Sequence, residues 1–278
     1  MITILRLSLL PVLLYVFAAV IATPALHGQS QEKREGDYRM VEADLPKASG
    51  DGADIAETEA AIFRDANRFR KQNDLEPLER NDELDAAARD FAGYMAETHR
   101  YGHTADDRQP SERASAADYA FCFVAENIAY QYRSESIAAS SLSNHFLTGW
   151  KESPGHRENL LAVPPTETGV GVARSEKTGA YFAVQLFGRP ESEKVRFRVI
   201  NDSGEEVRYF LRAEGSSEEG REHELPPRAV GIHEQCSPTR LRLSDASAEE
   251  AVEVDDGAKV RIFGNGKGLG VEVDPGSR

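Results

Sequence analysis

Two cysteines in 278 residues, Cys122 and Cys236, are too few for a disulfide-stapled scaffold, so apolar burial has to carry the fold. Positive charge is also scarce: 33 Lys and Arg stand against 47 Asp and Glu, a formal net charge of −14. That balance argues against nonspecific contact with nucleic acid or anionic lipid, and no nucleic-acid partner is expected. The acidic residues form no Asp-rich loop with calcium-ligand spacing. His-Glu-x-x-His, Cys-x-x-Cys and Gly-x-Ser-x-Gly are all absent, so no self-contained zinc helix or nucleophile elbow is present. Long apolar runs are missing too, with one exception, Leu9 to Ala22.

That run follows Arg6 and precedes the small residues of Thr23-Pro-Ala25 and Leu26-His-Gly28. The pattern predicts a signal peptide over 1–28 that is cleaved on export. The rival reading is an uncleaved anchor, the one route by which a membrane enters. Either way the rest of the chain is expected outside the cytoplasm, secreted or periplasmic. Residues 29–54 are polar and acidic with few apolar positions, and are expected to form a flexible linker.

Helical periodicity begins at Ile55. Ala56, Ala60, Phe63 and Ala66 or Asn67 are expected to share a face to about Gln72, with Phe69 nearby. Leu84, Ala87, Ala88, Phe91, Ala92 and Met95 form a second amphipathic stripe behind a cap at Asn81 or Asp82, ending near His99. Thr104 to Ala117 reads as irregular. Phe121 to Ala125 reads as a strand leading into Glu126, and Ser136 to Trp150 as a third helix. Ser153-Pro-Gly155 should end that helix, with Arg157 to Leu161 starting another, so that His156 sits in the break. Gly169 to Ala173 and Ala180 to Gly188 read as a hairpin around Ser175–Gly179.

Three stretches stand out: Tyr101-Gly-His103, Ala125-Glu-Asn-Ile-Ala129 and Trp150-Lys-Glu-Ser-Pro-Gly-His-Arg157. With Leu75-Glu-Pro-Leu78 and Gly169-Val-Gly-Val172 they run in an order that resembles the CAP superfamily. This group holds cysteine-rich secretory proteins, antigen 5 and pathogenesis-related 1 proteins, and the chain is most similar to its bacterial, SCP-like members. The resemblance spans about Ile55 to Gly188 and implies an α-β-α sandwich. The two cysteines depart from the cysteine-rich eukaryotic members.

The resemblance implies a groove with two histidines and two acidic residues. His103, Glu126 and His156 match three of these positions. Glu152 follows Trp150 one residue short of the usual spacing and stands as a weaker fourth candidate. Two imidazoles could hold Zn²⁺ or a similar ion, with His103 and His156 as the ligands and a carboxylate to ligate, orient or act as a base. The competing reading is that Glu126 only ties the imidazoles to the core. The family implies a secreted module for a small molecule, lipid or protein partner; the alternative is a metal-dependent, protease-like hydrolase in the same groove. With no complete catalytic apparatus in the sequence, binding is the expected role.

After Pro190 the pattern alternates at period two, as in Val195, Phe197 and Val199. Further strands are expected near 207–211, 229–233, 241–243, 252–254, 260–263 and 269–273. Residues 191–278 therefore read as a small all-β sandwich or barrel after a CAP-like domain at 55–190, making the chain α+β. No catalytic motif appears there; His223 and His233 read as structural or solvated. An exported chain with one cysteine in each domain is expected to pair them, Cys122 with Cys236.

Overall fold

The computed structural model describes residues 38–39, 52–132, 136–215, 219–244, 250–266 and 268–276; the expected leader and most of the linker lie outside them. After a two-residue strand, β1 (Tyr38–Arg39), the first helix starts where the Asp54 carboxylate accepts the Glu57 amide at 3.0 Å. An acceptor there satisfies a donor that the first turn leaves open. Helix α1 (Ile55–Lys71) buries Ile62, Ala66 and Phe69 together with Thr58 and Glu59. The buried stripe is thus rotated from the expected one: Ala56 is exposed, and Ala60 and Phe63 are half-buried.

A short strand, β2 (Glu79–Arg80), leads to α2 (Asp82–Thr98), capped by Asn81 through the Leu84 amide. All six residues of its expected stripe are buried. His99 ends it in a left-handed conformation (φ 55°) and hands the chain to β3 (Arg100–Tyr101), the partner of β1. The region expected to be irregular contains a helix, α3 (Pro110–Ala116). Pro110 is pre-set for a first turn, and the Glu112 carboxylate accepts the Gln109 amide at 2.7 Å. Its polar composition hid it, since only Ala114 and Arg113 are buried.

Strand β4 (Phe121–Gln131) follows, then α4 (Ala139–Glu152) and α5 (Pro154–Leu160). Helix α4 starts three residues later than expected. Pro154 opens α5 rather than only closing α4, because proline suits a first helical turn. His156 therefore lies within the first turn of α5, not in the break before it.

Strands β5 (Glu167–Arg174) and β6 (Tyr181–Pro190) complete a sheet of order β2-β5-β6-β4. One core joins α2 and α3 to one face of the sheet, and a second joins α1, α4 and α5 to the other, giving an α-β-α sandwich. Gly169 and Gly171 explain the Gly-Val-Gly-Val motif: a Cβ on either would run into the α2 backbone, at Leu84–Asp85 and at Ala88–Arg89. The open edge of β5 is closed by buried carboxylates. Asp85 accepts the Val170 amide at 2.7 Å and Glu59 accepts that of Val172 at 3.1 Å, with Arg80 and Arg89 as counter-charges.

A 3-10 turn at Glu191–Glu193 leads to eight more strands. They are β7 (Val195–Asn201), β8 (Val207–Ala213), β9 (Arg221–Leu225), β10 (Val230–Gln235), β11 (Thr239–Leu243), β12 (Val252–Val254), β13 (Lys259–Gly264) and β14 (Leu269–Asp274). Strand β9 was not foreseen, because Arg-Glu-His-Glu-Leu offers one fully buried side chain. Two four-stranded sheets, β10-β7-β13-β14 and β12-β11-β8-β9, share one apolar core. This is an open sandwich and not a closed barrel. Cys122 at the start of β4 is bonded to Cys236 just after β10, with their Cα atoms 5.6 Å apart. The disulfide ties the sandwich to the strand that carries Glu126.

Candidate functional site

Strand β4 lies at the edge of its sheet, and the carbonyls of Glu126 and Ile128 face away from β6. Side chains from α4 and α5 cover them: Trp150 Nε1 donates to the Ile128 carbonyl at 3.0 Å and Asn159 Nδ2 to that of Glu126 at 3.1 Å. The only tryptophan in the chain is thus spent on closing a sheet edge with its indole N–H while its ring fills the core. Next along β4, Asn127 is fully buried on the opposite face from Glu126. Its amide donates to the His156 carbonyl at 3.0 Å and accepts from Asn159 at 3.0 Å. Arg70 holds the other end of α5, donating to the carbonyls of Leu160 at 3.1 Å and Ala162 at 2.7 Å. Cationic donors suit the carbonyl end of a helix, and burial lowers the Arg70 pKa to about 10.

On the other side of β4, His103 arrives from the loop after β3. Gly102 precedes it at φ 141°, a conformation that L side chains rarely adopt. His103 Nδ1 lies 2.8 Å from Glu126 Oε1. Glu126 is itself gripped by Arg113, whose Nη2 donates to its two oxygens at 3.0 and 2.8 Å. The same guanidinium reaches the His103 carbonyl at 2.8 Å and, through Nη1, Asp106 at 2.7 Å. Its plane lies over the Phe91 ring, 3.6 Å from the centroid. The side chains of Asp106, Arg113 and Glu126 are 3%, 3% and 1% exposed, whereas that of His103 is 20% exposed. A buried chain of alternating charge thus ends on an imidazole that reaches solvent.

His103 and His156 meet over this edge, with ring centroids 6.2 Å apart and planes at 47°. The structure therefore brings three of the four candidate residues together. Glu152 stands exposed on the last turn of α4. Because Arg113 and His103 both occupy Glu126, that carboxylate is placed to orient the imidazole rather than to ligate an ion. Such a carboxylate–histidine pair fixes the tautomer and orientation of the ring. Among the described residues, no group of three His, Cys, Asp or Glu side chains is disposed to hold a metal ion.

Asp106, Arg113 and Asn159 were given no role from the sequence, and Asn127 stood within the Ala125–Ala129 motif without one. Their importance lies in long-range contacts, 13 residues from Arg113 to Glu126 and 32 from Asn127 to Asn159. In the second domain His223 and His233 are not isolated. Their rings are 4.9 Å apart, and Tyr209 OH lies 2.8 Å from His233 Nε2. Burial, and secondarily the neighbouring His223, pushes His233 down to about 4; burial and the Arg221 charge lower His223.

The family model described as "Cysteine-rich secretory protein family" matches residues 63–187, so that stretch is a CAP domain, with a β-sandwich following it. Among solved structures it is similar to an outer surface protein from Borrelia burgdorferi, at 23% identity, with 51% of this chain and 99% of that one covered and a TM-score of 0.45. An extracellular protein containing an SCP domain from Bacillus anthracis is 26% identical, with 49% of this chain and 41% of that one covered and a TM-score of 0.42. A cysteine-rich secretory protein from Staphylococcus aureus is 19% identical, with 48% and 38% covered and a TM-score of 0.38. The chain thus spans about two fifths of the Bacillus and Staphylococcus proteins. No curated protein matches it.

Proposed function

We propose that this is an exported binding module whose ligand sits over the edge of β4, against His103 and His156. The observation that carries the reading is the paired imidazoles, 6.2 Å apart, one of them set by a buried carboxylate. An exposed imidazole backed by an Arg113–Glu126 pair is a built feature, since burying three charged side chains costs free energy that a merely solvated histidine would not require.

The donor set fits a divalent cation such as Zn²⁺ in part. The His103 and His156 imidazoles would hold it, and the ligand or water would complete the shell. A bound cation supplies Lewis-acid affinity for an anionic or carbonyl oxygen. The chain's own part is to orient His103 through Glu126, to fix α5 through Asn127, Asn159 and Arg70, and to keep water from Arg113.

Export and the division of labour belong to the same proposal. The leader at 1–28 is removed, 29–54 acts as a tether, 55–190 binds, and 191–278 serves as an adaptor. No helix among the described residues is long and apolar enough to cross a membrane. The similar Borrelia and Bacillus proteins are described as an outer surface and an extracellular protein.

Calorimetric titration of chelator-free protein with Zn²⁺ tests the site. His103→Ala combined with His156→Ala should abolish the heat of binding, and unchanged affinity would remove the metal from the proposal. Hydrolysis of casein that disappears in the same double variant would move the reading to a hydrolase.

A further inference from the structure

Exposed arginines of the C-terminal sandwich are matched with acids: Arg196 with Glu234, Arg208 with Glu224 and Arg261 with Asp202, their side chains 53–56% exposed. Two arginines of the β12-β11-β8-β9 sheet break this pattern. Arg212 of β8 stands directly opposite Arg240 of β11. Both face outward, because Leu211 and Leu241 beside them are buried in the core. Like charges directly opposite each other destabilise a sheet. Both side chains are half-buried, so they also give up part of their hydration.

No counter-charge in the protein answers them. Glu253 lies opposite Arg240 on β12, and Glu219 lines the same cleft, yet among the described residues neither arginine forms an ion pair. Arg240 Nη2 donates to the Ala251 carbonyl at 3.4 Å, and its Nε is buried without an acceptor. The next row of the sheet walls the cleft. Arg242 stands opposite Phe210 with its guanidinium over the ring, 4.8 Å from the centroid. In a chain where Asp and Glu outnumber Lys and Arg by 47 to 33, three guanidiniums thus converge on one cleft whose described lining holds a single carboxylate.

We infer that this cleft binds an oxyanion, a carboxylate or phosphate group seated between Arg212 and Arg240. A guanidinium presents planar N–H donors matched to the oxygens of such a group. The anion offsets the repulsion between the two arginines and brings an acceptor to the buried edge of Arg240. Phe210 and Arg242 wall the cleft on one side, and a partly dry cleft strengthens charge pairing within it. The sandwich then carries a ligand site of its own, beyond the histidines over β4.

NMR of the intact protein, following backbone amides and arginine Nε–H groups, tests this by titration with inorganic phosphate and, separately, with citrate. Sodium chloride at matched ionic strength is the reference. The Arg212 and Arg240 signals should shift to saturation with at least one of the two anions. Saturation by phosphate alone assigns a phosphoryl ligand, and by citrate alone a carboxylate. Arg212→Gln and Arg240→Gln should each weaken binding by about tenfold or more. Arg208→Gln, on the same face of β8 but paired with Glu224, should leave the affinity unchanged. No saturable shift beyond that of chloride, undiminished affinity in either Arg212→Gln or Arg240→Gln, or an equal loss in Arg208→Gln would each overturn the inference.

Discussion

Arg113 holds Glu126 with Nη2 at 2.8 and 3.0 Å from its two oxygens, and neither side chain is more than 3% exposed. Both partners are buried, so the pair is bound more by the cost of separating it than by its own attraction. Arg113→Met should leave buried Asp106 with only Arg108 and buried Glu126 with only His103, and destabilise the protein by about 3–5 kcal/mol in urea unfolding. Arg113→Lys should recover only part of the loss, because an ammonium cannot serve Asp106, Glu126 and the His103 carbonyl with one rigid fork. Equal stability in all three proteins would show that the charge chain does not hold the loop.

The β-sandwich should weaken in mild acid through His233. Its pKa in the fold is about 4, lowered from 6.5 by burial, so protons prefer the unfolded chain. Its contribution is therefore neutral above pH 6.5, turns against folding as the pH falls from 6.5 to 4, and levels off below. His223 acts in the same direction. Allowing for solvent screening at a half-buried site, the loss should be on the order of 1–2 kcal/mol. His233→Gln should flatten that slope between pH 6.5 and 4 in chemical denaturation; an unchanged slope would assign the acid sensitivity elsewhere.

The disulfide closes a long loop, 114 residues apart in sequence. Thiol titration of the unreduced, denatured protein should find no free thiol. Replacing both cysteines by serine should cost about 4–5 kcal/mol in the chain-entropy model, less where the two folded units already hold each other. Because Cys122 lies four residues before Glu126, limited proteolysis of the double variant should cut first between β6 and β7. Two reactive thiols in the untreated protein would contradict the bond.

Legibility in the sequence followed the physics of each element. The α2 stripe was readable because its expected apolar residues all face inward, with Asp85 as the one buried acid beside them. That of α1 was misread because its inward face includes Glu59 and Thr58, one of which is there to close the edge of β5. Helix α3 and strand β9 were missed because each buries so little apolar surface. His103, Glu126 and His156 were visible through motif order. What supports them was not visible, since Asp106, Arg113 and Asn159, and Asn127 within its motif, act through contacts that only the folded chain creates. His223 and His233 likewise gave no sign of meeting, being brought together from neighbouring sheet edges.

The central claim is that His103 and His156 act as one site, with His103 set by Glu126. Nitrogen-15 NMR of the imidazoles, recorded before and after addition of Zn²⁺, tests it most directly. The account predicts that His103 starts as the tautomer protonated at Nδ1, and that its Nε2 and one nitrogen of His156 shift together at the same stoichiometry. The ring signals of His99, His223 and His233 should stay in place. A His103 protonated at Nε2, or Zn²⁺ shifts confined to other histidines, would contradict it.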